Sequence, residues 1–444
     1  MLIEFSIGNF RSFRDKVTFS MVAAALKSKN PQVDDNNVFS VEGQPTLLTS
    51  AAIYGANASG KSNLIKAIGF MRKFVLNSTK ETQAVGAIGA EPFALHTETA
   101  GKPSHFEMVF VADDIRYRYG FEATTERVVS EWLFHVPTKV EARLFERTQD
   151  EFHLSGVFKE GKGIQEKTRP NTLFLSAVAQ WNGEIAQRIV TWFRKLGIAS
   201  GLEDTMMRFH TMESLAEGDY QERIIEMIRS MDLAIEKVTV EMKPMPEIDP
   251  SISDRLKEAI RLVREKIHVR EELGSTNMGV ATTHHRFDAD GNRVDLVNFD
   301  MDKQESDGTQ KLFALSGPIV RALQEGRVLI VDELDARLHP LMTCGLVKLF
   351  NSRETNPRHA QLIFTTHDTN LLDKDLFRRD QIWFTEKDRQ GATDLYSLAE
   401  FKIKTASQSK SAVRNDASFE KDYIAGRYGA IPFLGDLHRM GEGQ

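Results

Sequence analysis

The chain has little cysteine, no excess of positive charge and no long apolar run. Cys344 is the only cysteine among 444 residues, which excludes a disulfide framework and argues against a cysteine-ligated metal site. The net charge of −6 shows no overall basicity, so any contact with nucleic acid must be a local patch. No run reaches the roughly 18 apolar residues that a membrane helix needs, and residues 1–5 do not open a signal peptide. We therefore expect a cytoplasmic protein with no membrane contact.

Apolar residues make up 41% of the chain, which is enough for a large core. At this length we expect two or three domains.

The most informative motif lies at residues 55–62. Gly55, Gly60, Lys61 and Ser62 fill the pattern G-x-x-x-x-G-K-[ST] between a predicted buried strand and a predicted helix. Backbone N–H groups of such a loop wrap the α- and β-phosphates, the lysine reaches the β- and γ-phosphates, and the hydroxyl ligands Mg²⁺. The helix that starts at about Asn63 points its positive end at the same phosphates. The motif predicts a nucleotide site, and the alternative is a glycine turn before an ordinary helix.

A second element lies at residues 327–333, where an apolar strand runs into two carboxylates. Such a strand would carry Asp332 to the sheet edge where ligands bind, and Asp332 would hold Mg²⁺ there. Glu333 is placed to polarise the attacking water as a general base. Alone, this pattern is a common strand end. A further strand predicted at 362–366 precedes His367, which could hydrogen-bond the γ-phosphate, although a lone histidine is more often structural.

A third element precedes the carboxylates. Residues 305–311 contain a Ser/Gly turn that opens an apolar helix, which is again an anion-binding N-terminus. The glycine loop and the carboxylates are separated by more than half of the chain. We infer an ATPase head that is split by an insertion.

Hydrophobic periodicity supports this organisation. Period-2 runs predict hairpins at 1–22 and 106–121 and more strands at 127–160. Helical stripes between 169 and 272, including one through Ile235 and one at 256–267, predict a helical insertion. The predicted domains are 1–165 (N-terminal half of the head with a β lobe), 166–275 (helical insertion), 276–400 (C-terminal half of the head) and 401–444 (docking segment with Tyr423, Tyr428 and Phe433).

The order of glycine loop, Ser-x-Gly-Thr turn, Asp-Glu, Leu-Asp and His resembles the ATP-binding-cassette (ABC) order. Residues 9–13 look like the start of SMC and RecF heads. Residues 332–335 with 338–340 resemble the OLD-like ATPases of bacterial anti-phage and abortive-infection systems, which include the ATPase subunits of PARIS and Septu. The resemblance covers about 1–135 and 275–390. It implies an α/β fold: an ABC-type P-loop NTPase head, with a mixed sheet and an antiparallel β lobe, split by a helical insertion.

The resemblance also assigns residues. It implies ATP contacts at Arg11, Gly55, Asn57, Ser59, Gly60, Lys61, Ser62, Asn63, Ser306, Gly308 and Asp335. It implies Mg²⁺ binding by Ser62 and Asp332, and catalysis by Glu333, His367 and Lys61. Ser306 and Gly308 match the signature that caps the γ-phosphate of the opposite subunit, and Asp335 matches the loop that crosses the dimer interface.

Two departures from the family pattern stand out. Asp307 replaces the first glycine of the usual signature, and a carboxylate there should point away from the γ-phosphate or meet a cation. The glutamine that normally completes the magnesium shell has one candidate, Gln83, which the pattern does not support well.

The predicted function is ATP hydrolysis by a head-to-head dimer or higher oligomer. In this interpretation the protein is a sensor or scaffold in antiviral defence that controls a separate effector subunit, such as a nuclease. The alternative is a RecF- or SMC-like DNA-maintenance ATPase that binds DNA. A nuclease site within this chain is disfavoured, since we find no second set of convergent carboxylates. DNA and a phage protein both stay open as the trigger.

Overall fold

The computed structural model describes residues 1–80, 87–218, 220–231, 234–244, 276–404, 410–414 and 416–432. The chain divides into two compact units. The first consists of Met1–Glu203 and Arg321–Gln444, and the second is Asp204–Val320. The domain limits at 165, 275 and 400 stay predictions.

The first unit contains a seven-stranded antiparallel sheet with the order β10-β9-β8-β7-β6-β1-β2. Its strands are β1 (Leu2–Gly8), β2 (Val17–Ser20), β6 (Ser104–Ala112), β7 (Ile115–Ala123), β8 (Val128–Val136), β9 (Ala142–Thr148) and β10 (Glu151–Leu154). Both predicted hairpins are present, as the pairs β1–β2 and β6–β7. Alternating burial along β6 explains why the period-2 pattern identified it. This sheet is the predicted antiparallel lobe.

The first unit also contains a six-stranded sheet with the order β11-β15-β16-β5-β17-β18. Its strands are β5 (Ser50–Tyr54), β11 (Gly197–Ser200), β15 (Val328–Asp332), β16 (Gln361–Thr365), β17 (Ile382–Lys387) and β18 (Thr393–Ser397). All neighbours pair in parallel except β17 and β18, so the sheet is mixed, as predicted. Because β16 lies between β5 and β15, the carboxyl ends of these three strands meet at one edge, where ligands bind in α/β sheets.

The helices of the first unit cover these sheets. They are α1 (Pro31–Asn36), α2 (Lys61–Asn77), α3 (Phe174–Gln180), α4 (Glu184–Lys195), α8 (Pro340–Phe350) and α9 (Phe419–Ile424). Helix α2 buries Leu64, Ile68, Met71 and Val75, which recur every three or four residues and so share one face. Two short pairs complete the unit: β3 (Val38–Phe39) with β4 (Leu47–Leu48), and β19 (Lys402–Lys404) with β20 (Lys410–Ala412).

The second unit combines helices with a small sheet. It contains α5 (Thr205–Ala216), α6 (Gln221–Met231), the sheet β12 (Ile235–Pro244), β13 (Thr276–Phe287) and β14 (Arg293–Asp300), and the start of α7 (Asp307–Glu325). The prediction of one helical stripe through Ile235 is wrong. Helix α6 ends at Met231, and Ile235 pairs with His284 on β13, so strand pairing overrides the helical spacing. The third predicted helix, at 256–267, lies outside the described residues.

The aromatic residues predicted to dock the C-terminal segment pack inside the first unit. Tyr423 and Tyr428 are buried, with ring centroids 5.4 Å and 6.0 Å from that of Phe384 on β17. Tyr423 also lies 5.9 Å from Tyr54, the last residue of β5. Phe433, the third predicted residue, lies outside the described part of the chain.

Candidate functional site

The glycine loop connects β5 to α2, as its sequence predicts. Gly60 has φ of +118°, which L side chains rarely adopt, and a Cβ there would collide with the side chain of Thr393. A Cβ on Gly55 would lie 2.5 Å from Ser59 Oγ and from Thr385 O. Both glycines are therefore required by space as well as by conformation. The loop has the tight backbone that a phosphate cradle needs.

Three hydroxyl residues outside the motif hold this loop. Thr385 on β17 shares a 2.6 Å hydrogen bond with Ser59 Oγ. Thr393 on β18 donates to Ser59 O at 2.8 Å and lies 2.8 Å from Ser12 Oγ, which also accepts from Asn63 at 2.8 Å. Sequence reasoning named Ser59 and Asn63 but missed Ser12, Thr385 and Thr393. No spacing rule links them to the loop, because they approach it from other strands and from the N-terminal hairpin.

Lys61 lies folded over the loop that precedes it. Its ammonium group donates to Gly55 O at 2.8 Å and to Ala56 O at 3.1 Å, and the residue is 5% exposed. Burial lowers the pKa of Lys61, while the charges of Glu333, Asp332 and Asp335 oppose that shift. The lysine of the loop and the carboxylates thus lie within electrostatic reach of one another.

The two carboxylates occupy the carboxyl end of β15 as predicted. Asp332 Oδ1 accepts a 2.6 Å hydrogen bond from the hydroxyl of Thr365 on the neighbouring strand. Glu333 follows with φ of +55°, and its N–H donates to the same hydroxyl at 2.7 Å. Both carboxylate residues are half-buried. The pair sits at the strand edge beside the glycine loop, which is the placement that ATP hydrolysis requires.

Asp335 and His367 complete this group. His367 follows β16, and its backbone N–H donates to Asp335 Oδ2 at 3.3 Å. The other carboxylate oxygen of Asp335 is buried and has no hydrogen-bond partner among the described residues. Partial burial lowers the pKa of His367, and the positive charge of Lys61 lowers it further, against the opposing charges of three carboxylates. The imidazole is therefore neutral at pH 7, with one N–H available as a donor.

A family model matches residues 50–373, well over half of the chain. Its description is "AAA domain, putative AbiEii toxin, Type IV TA system". The chain belongs to this AAA domain family. The two sheets and the glycine-loop site give it the fold of an ABC-type P-loop ATPase head, which confirms the predicted fold class.

Solved structures similar to this family member include two SMC heads and the recombination mediator protein RecF. An SMC head bound to the C-winged helix domain of ScpA has a TM-score of 0.44 at 13% identity, covering 89% of this chain and 97% of that chain. The SMC head domain from Thermotoga maritima has a TM-score of 0.36 at 13% identity, covering 89% and 98%. RecF bound to ATP has a TM-score of 0.35 at 14% identity, covering 89% and 97%. No curated protein matches the chain.

Arg11 and Asn57 are the remaining predicted ATP contacts in the first unit. The Arg11 guanidinium donates to Glu91 at 2.8 Å, its backbone has φ of +50°, and its Nε is buried without a hydrogen-bond partner among the described residues. Asn57 is exposed at the tip of the glycine loop. The role of Arg11 near the nucleotide stays a prediction, since Arg11 forms an ion pair with Glu91 here.

The residues predicted as the signature of this AAA family member lie in the second unit. Ser306 precedes α7, and its hydroxyl accepts from Thr309 N at 3.1 Å, which is the hydrogen bond of a helix N-cap. Gly308 lies in the first turn, and Asp307, the first helical residue, is exposed. An acidic residue is favourable in a first helical turn because it opposes the helix dipole, which explains why the motif tolerates it. Gln83 lies outside the described residues.

A buried ion pair supports α7, the helix that follows Ser306. The Lys311 ammonium group is fully buried and donates to Asp204 Oδ1 at 2.6 Å. Glu305, immediately before Ser306, lies 2.7 Å from His284 Nε2 on β13. These contacts fix the start of α7, and sequence reasoning identified none of the four residues as partners.

The donor set fits Mg²⁺, which prefers oxygen ligands. Ser62 is the second residue of α2, directly after Lys61, and offers a hydroxyl. The hydrogen bond from Thr365 engages only Oδ1 of Asp332, so the carboxylate keeps acceptor capacity for a cation. None of the helices in the described ranges is long and apolar enough to span a bilayer.

Proposed function

We propose that this chain binds ATP with Mg²⁺ and hydrolyses it to ADP and phosphate. The observation that supports this most directly is the convergence of Lys61 with Asp332, Glu333 and His367 at the edge formed by β5, β16 and β15. Membership of the AAA domain family supports nucleotide binding independently.

Each residue then has a separate task. Backbone N–H groups of the loop 55–60 bind the phosphates, and Lys61 exchanges its loop carbonyls for phosphate oxygens. Glu333 accepts a proton from the attacking water, and the neutral ring of His367 donates to the γ-phosphate. Mg²⁺ held by Ser62 and Asp332 would neutralise charge that develops on the phosphates.

We further propose that two copies pair head to head, with two ATP molecules between them. Ser306 and Gly308 would then contact the γ-phosphate bound by the opposite copy, where the N-terminus of α7 favours an anion. Asp335 supports this arrangement, because its unpartnered buried oxygen is the kind of group that a ligand or a second subunit satisfies. Higher oligomers are compatible with the same pairing.

The biological role that we propose is antiviral defence, with this chain as the nucleotide-dependent sensor or scaffold and a separate effector subunit, such as a nuclease, under its control. The family description, which names a toxin and a toxin–antitoxin system, supports a defence role. We assign nucleic acid cleavage to the partner, because Asp332, Glu333 and Asp335 serve ATP or the interface between copies in this proposal. Cleavage by the purified chain with ATP and Mg²⁺ or Mn²⁺ would contradict that assignment.

Two substitutions test the hydrolysis proposal. Lys61→Ala should lose ATP binding, because the loop loses the cation that meets the phosphates. Glu333→Gln should still bind ATP, because the phosphate-binding loop is intact. It should hydrolyse ATP at least about 100-fold more slowly than wild type, because the general base is lost. Equilibrium binding and phosphate release measure the two effects. Wild-type turnover by Glu333→Gln would show that the base has been assigned wrongly.

A further inference from the structure

Thr365 contacts the Asp-Glu pair although it belongs to a different strand. It is fully buried, and it ends β16 next to the carboxyl end of β15. Its hydroxyl donates to Asp332 Oδ1 at 2.6 Å and accepts from Glu333 N at 2.7 Å. Its carbonyl oxygen accepts from Leu334 N at 3.1 Å. One residue therefore bonds three successive residues of the catalytic turn.

These bonds fix an unusual backbone. Glu333 has φ of +55°, a left-handed conformation that is uncommon for any residue except glycine. The N–H groups of Glu333 and Leu334 both donate to Thr365, so its two acceptors stabilise this conformation of the turn. The Cα–Cβ direction of Glu333, and with it the position of the carboxylate, follows from that backbone.

Strand β11, which flanks β15 on the side opposite β16, also restricts the conformation of this turn. Gly201, directly after β11, donates its N–H to Asp332 O at 2.5 Å, and a Cβ there would overlap the backbone of Glu333. The Asp332–Glu333 peptide is thus held from β11 on one side and from β16 on the other. Of these contacts, only the hydroxyl of Thr365 reaches the carboxylate of Asp332 as well.

Burial alone does not explain why the Thr365 hydroxyl forms two hydrogen bonds. Thr343 on α8 is equally buried, yet its hydroxyl has no hydrogen-bond partner among the described residues. A buried threonine in this unit can therefore leave its hydroxyl unused. Thr365 instead uses it twice, and both bonds go to the residues proposed for magnesium binding and catalysis.

We infer that Thr365 is a positioning residue for ATP hydrolysis, which sets the orientation of the Asp332 carboxylate and the backbone of Glu333. This inference rests on the proposed function. None of these hydrogen bonds links Thr365 to the glycine loop or to Lys61. Loss of the Thr365 hydroxyl should therefore reduce turnover far more than it reduces ATP affinity.

The experiment compares four proteins: wild type, Thr365→Val, Thr365→Ser and the matched control Thr343→Val. Valine keeps the branched shape of threonine and replaces the hydroxyl with a methyl group, which cannot form hydrogen bonds. Thr365→Val should lower kcat on the order of 100-fold, the loss expected for a misplacement of about 1 Å, with KM for ATP and the equilibrium affinity for ATP with Mg²⁺ changed by less than about threefold. Thr365→Ser restores the hydroxyl and should recover most of the turnover, and Thr343→Val should equal wild type.

The outcomes are separable. Turnover by Thr365→Val within threefold of wild type, or an equal loss in Thr343→Val, would overturn the positioning role. If Thr365→Val does not fold, Thr365→Ser and Thr365→Ala replace it, because they differ by the hydroxyl alone, and equal turnover in that pair counts against the inference. Absence of phosphate release by the wild type refutes the proposed function itself, and that result is visible before any variant is made.

Discussion

Gly201 offers a sharp test of the site, because no sequence pattern identifies it and the structure leaves no room for a side chain. In Gly201→Ala the new Cβ would lie 2.7 Å from Asp332 O and 2.7 Å from the carbonyl carbon of Glu333, and closer still to Glu333 O. Ordinary contact begins at 3.4 Å and Glu333 O is the nearest atom, so the two backbones must separate by about 1.6 Å to relieve that contact.

The expected loss of stability and turnover in Gly201→Ala depends on which backbone segment moves. Overpacking of this kind costs about 1–3 kcal/mol of stability. If the Asp332–Glu333 peptide moves, the general base is displaced by more than an ångström, and a displacement near 1 Å already costs on the order of 100-fold in rate. We therefore expect Gly201→Ala to reduce kcat roughly 100-fold, to lower the thermal midpoint, and to leave ATP affinity nearly unchanged.

Steady-state phosphate release, equilibrium ATP binding and thermal unfolding measure the three quantities. Gly156→Ala is the matched control, because a Cβ at Gly156 meets no atom within 4 Å and the backbone is not left-handed there. Strand β11 is at the edge of its sheet, so it could move outward instead of displacing Glu333. A lower thermal midpoint with wild-type turnover would show that outcome and would refute the reasoning.

Three further predictions address the dimer, the fold and the charges. Ser306→Arg and Lys61→Ala should each be inactive alone and regain part of the turnover when mixed, and no recovery in demonstrably mixed dimers would count against the head-to-head site. Glu131→Ala should lower the free energy of unfolding by about 3–5 kcal/mol in a denaturant titration, because it leaves the fully buried Arg147 without its carboxylate, 3.7 Å away; a loss below about 1 kcal/mol would contradict this. The pKa of His367, followed by NMR, should rise in Lys61→Ala because a repelling charge is removed, and no change would exclude that coupling. Because its folded pKa lies below the ordinary 6.5, His367 favours the folded state fully above about pH 6.5 and progressively less as the pH falls.

Much of the candidate site could be predicted because its residues follow local rules. The glycine loop, Ser62 and Asn63 are fixed by a strand–turn–helix pattern that spans about ten residues. Asp332 and His367 each follow a short apolar run, and such runs end at the ligand edge of a parallel sheet. The prediction failed where a distant partner decides the local structure: strand pairing with His284 takes Ile235 out of its predicted helix. The role of Arg11, which contacts Glu91, stays a prediction.

The sequence by itself determined the kind of site, since phosphate chemistry needs particular residues at particular spacings and those spacings are short. It also determined the two antiparallel hairpins, because alternation along a strand is set by which face is buried. Only the tertiary structure decided which residues outside the motifs support the chemistry. Thr365, Gly201 and Thr393 reach the site from neighbouring strands, and the order of strands in a sheet depends on packing across the whole chain rather than on any local pattern.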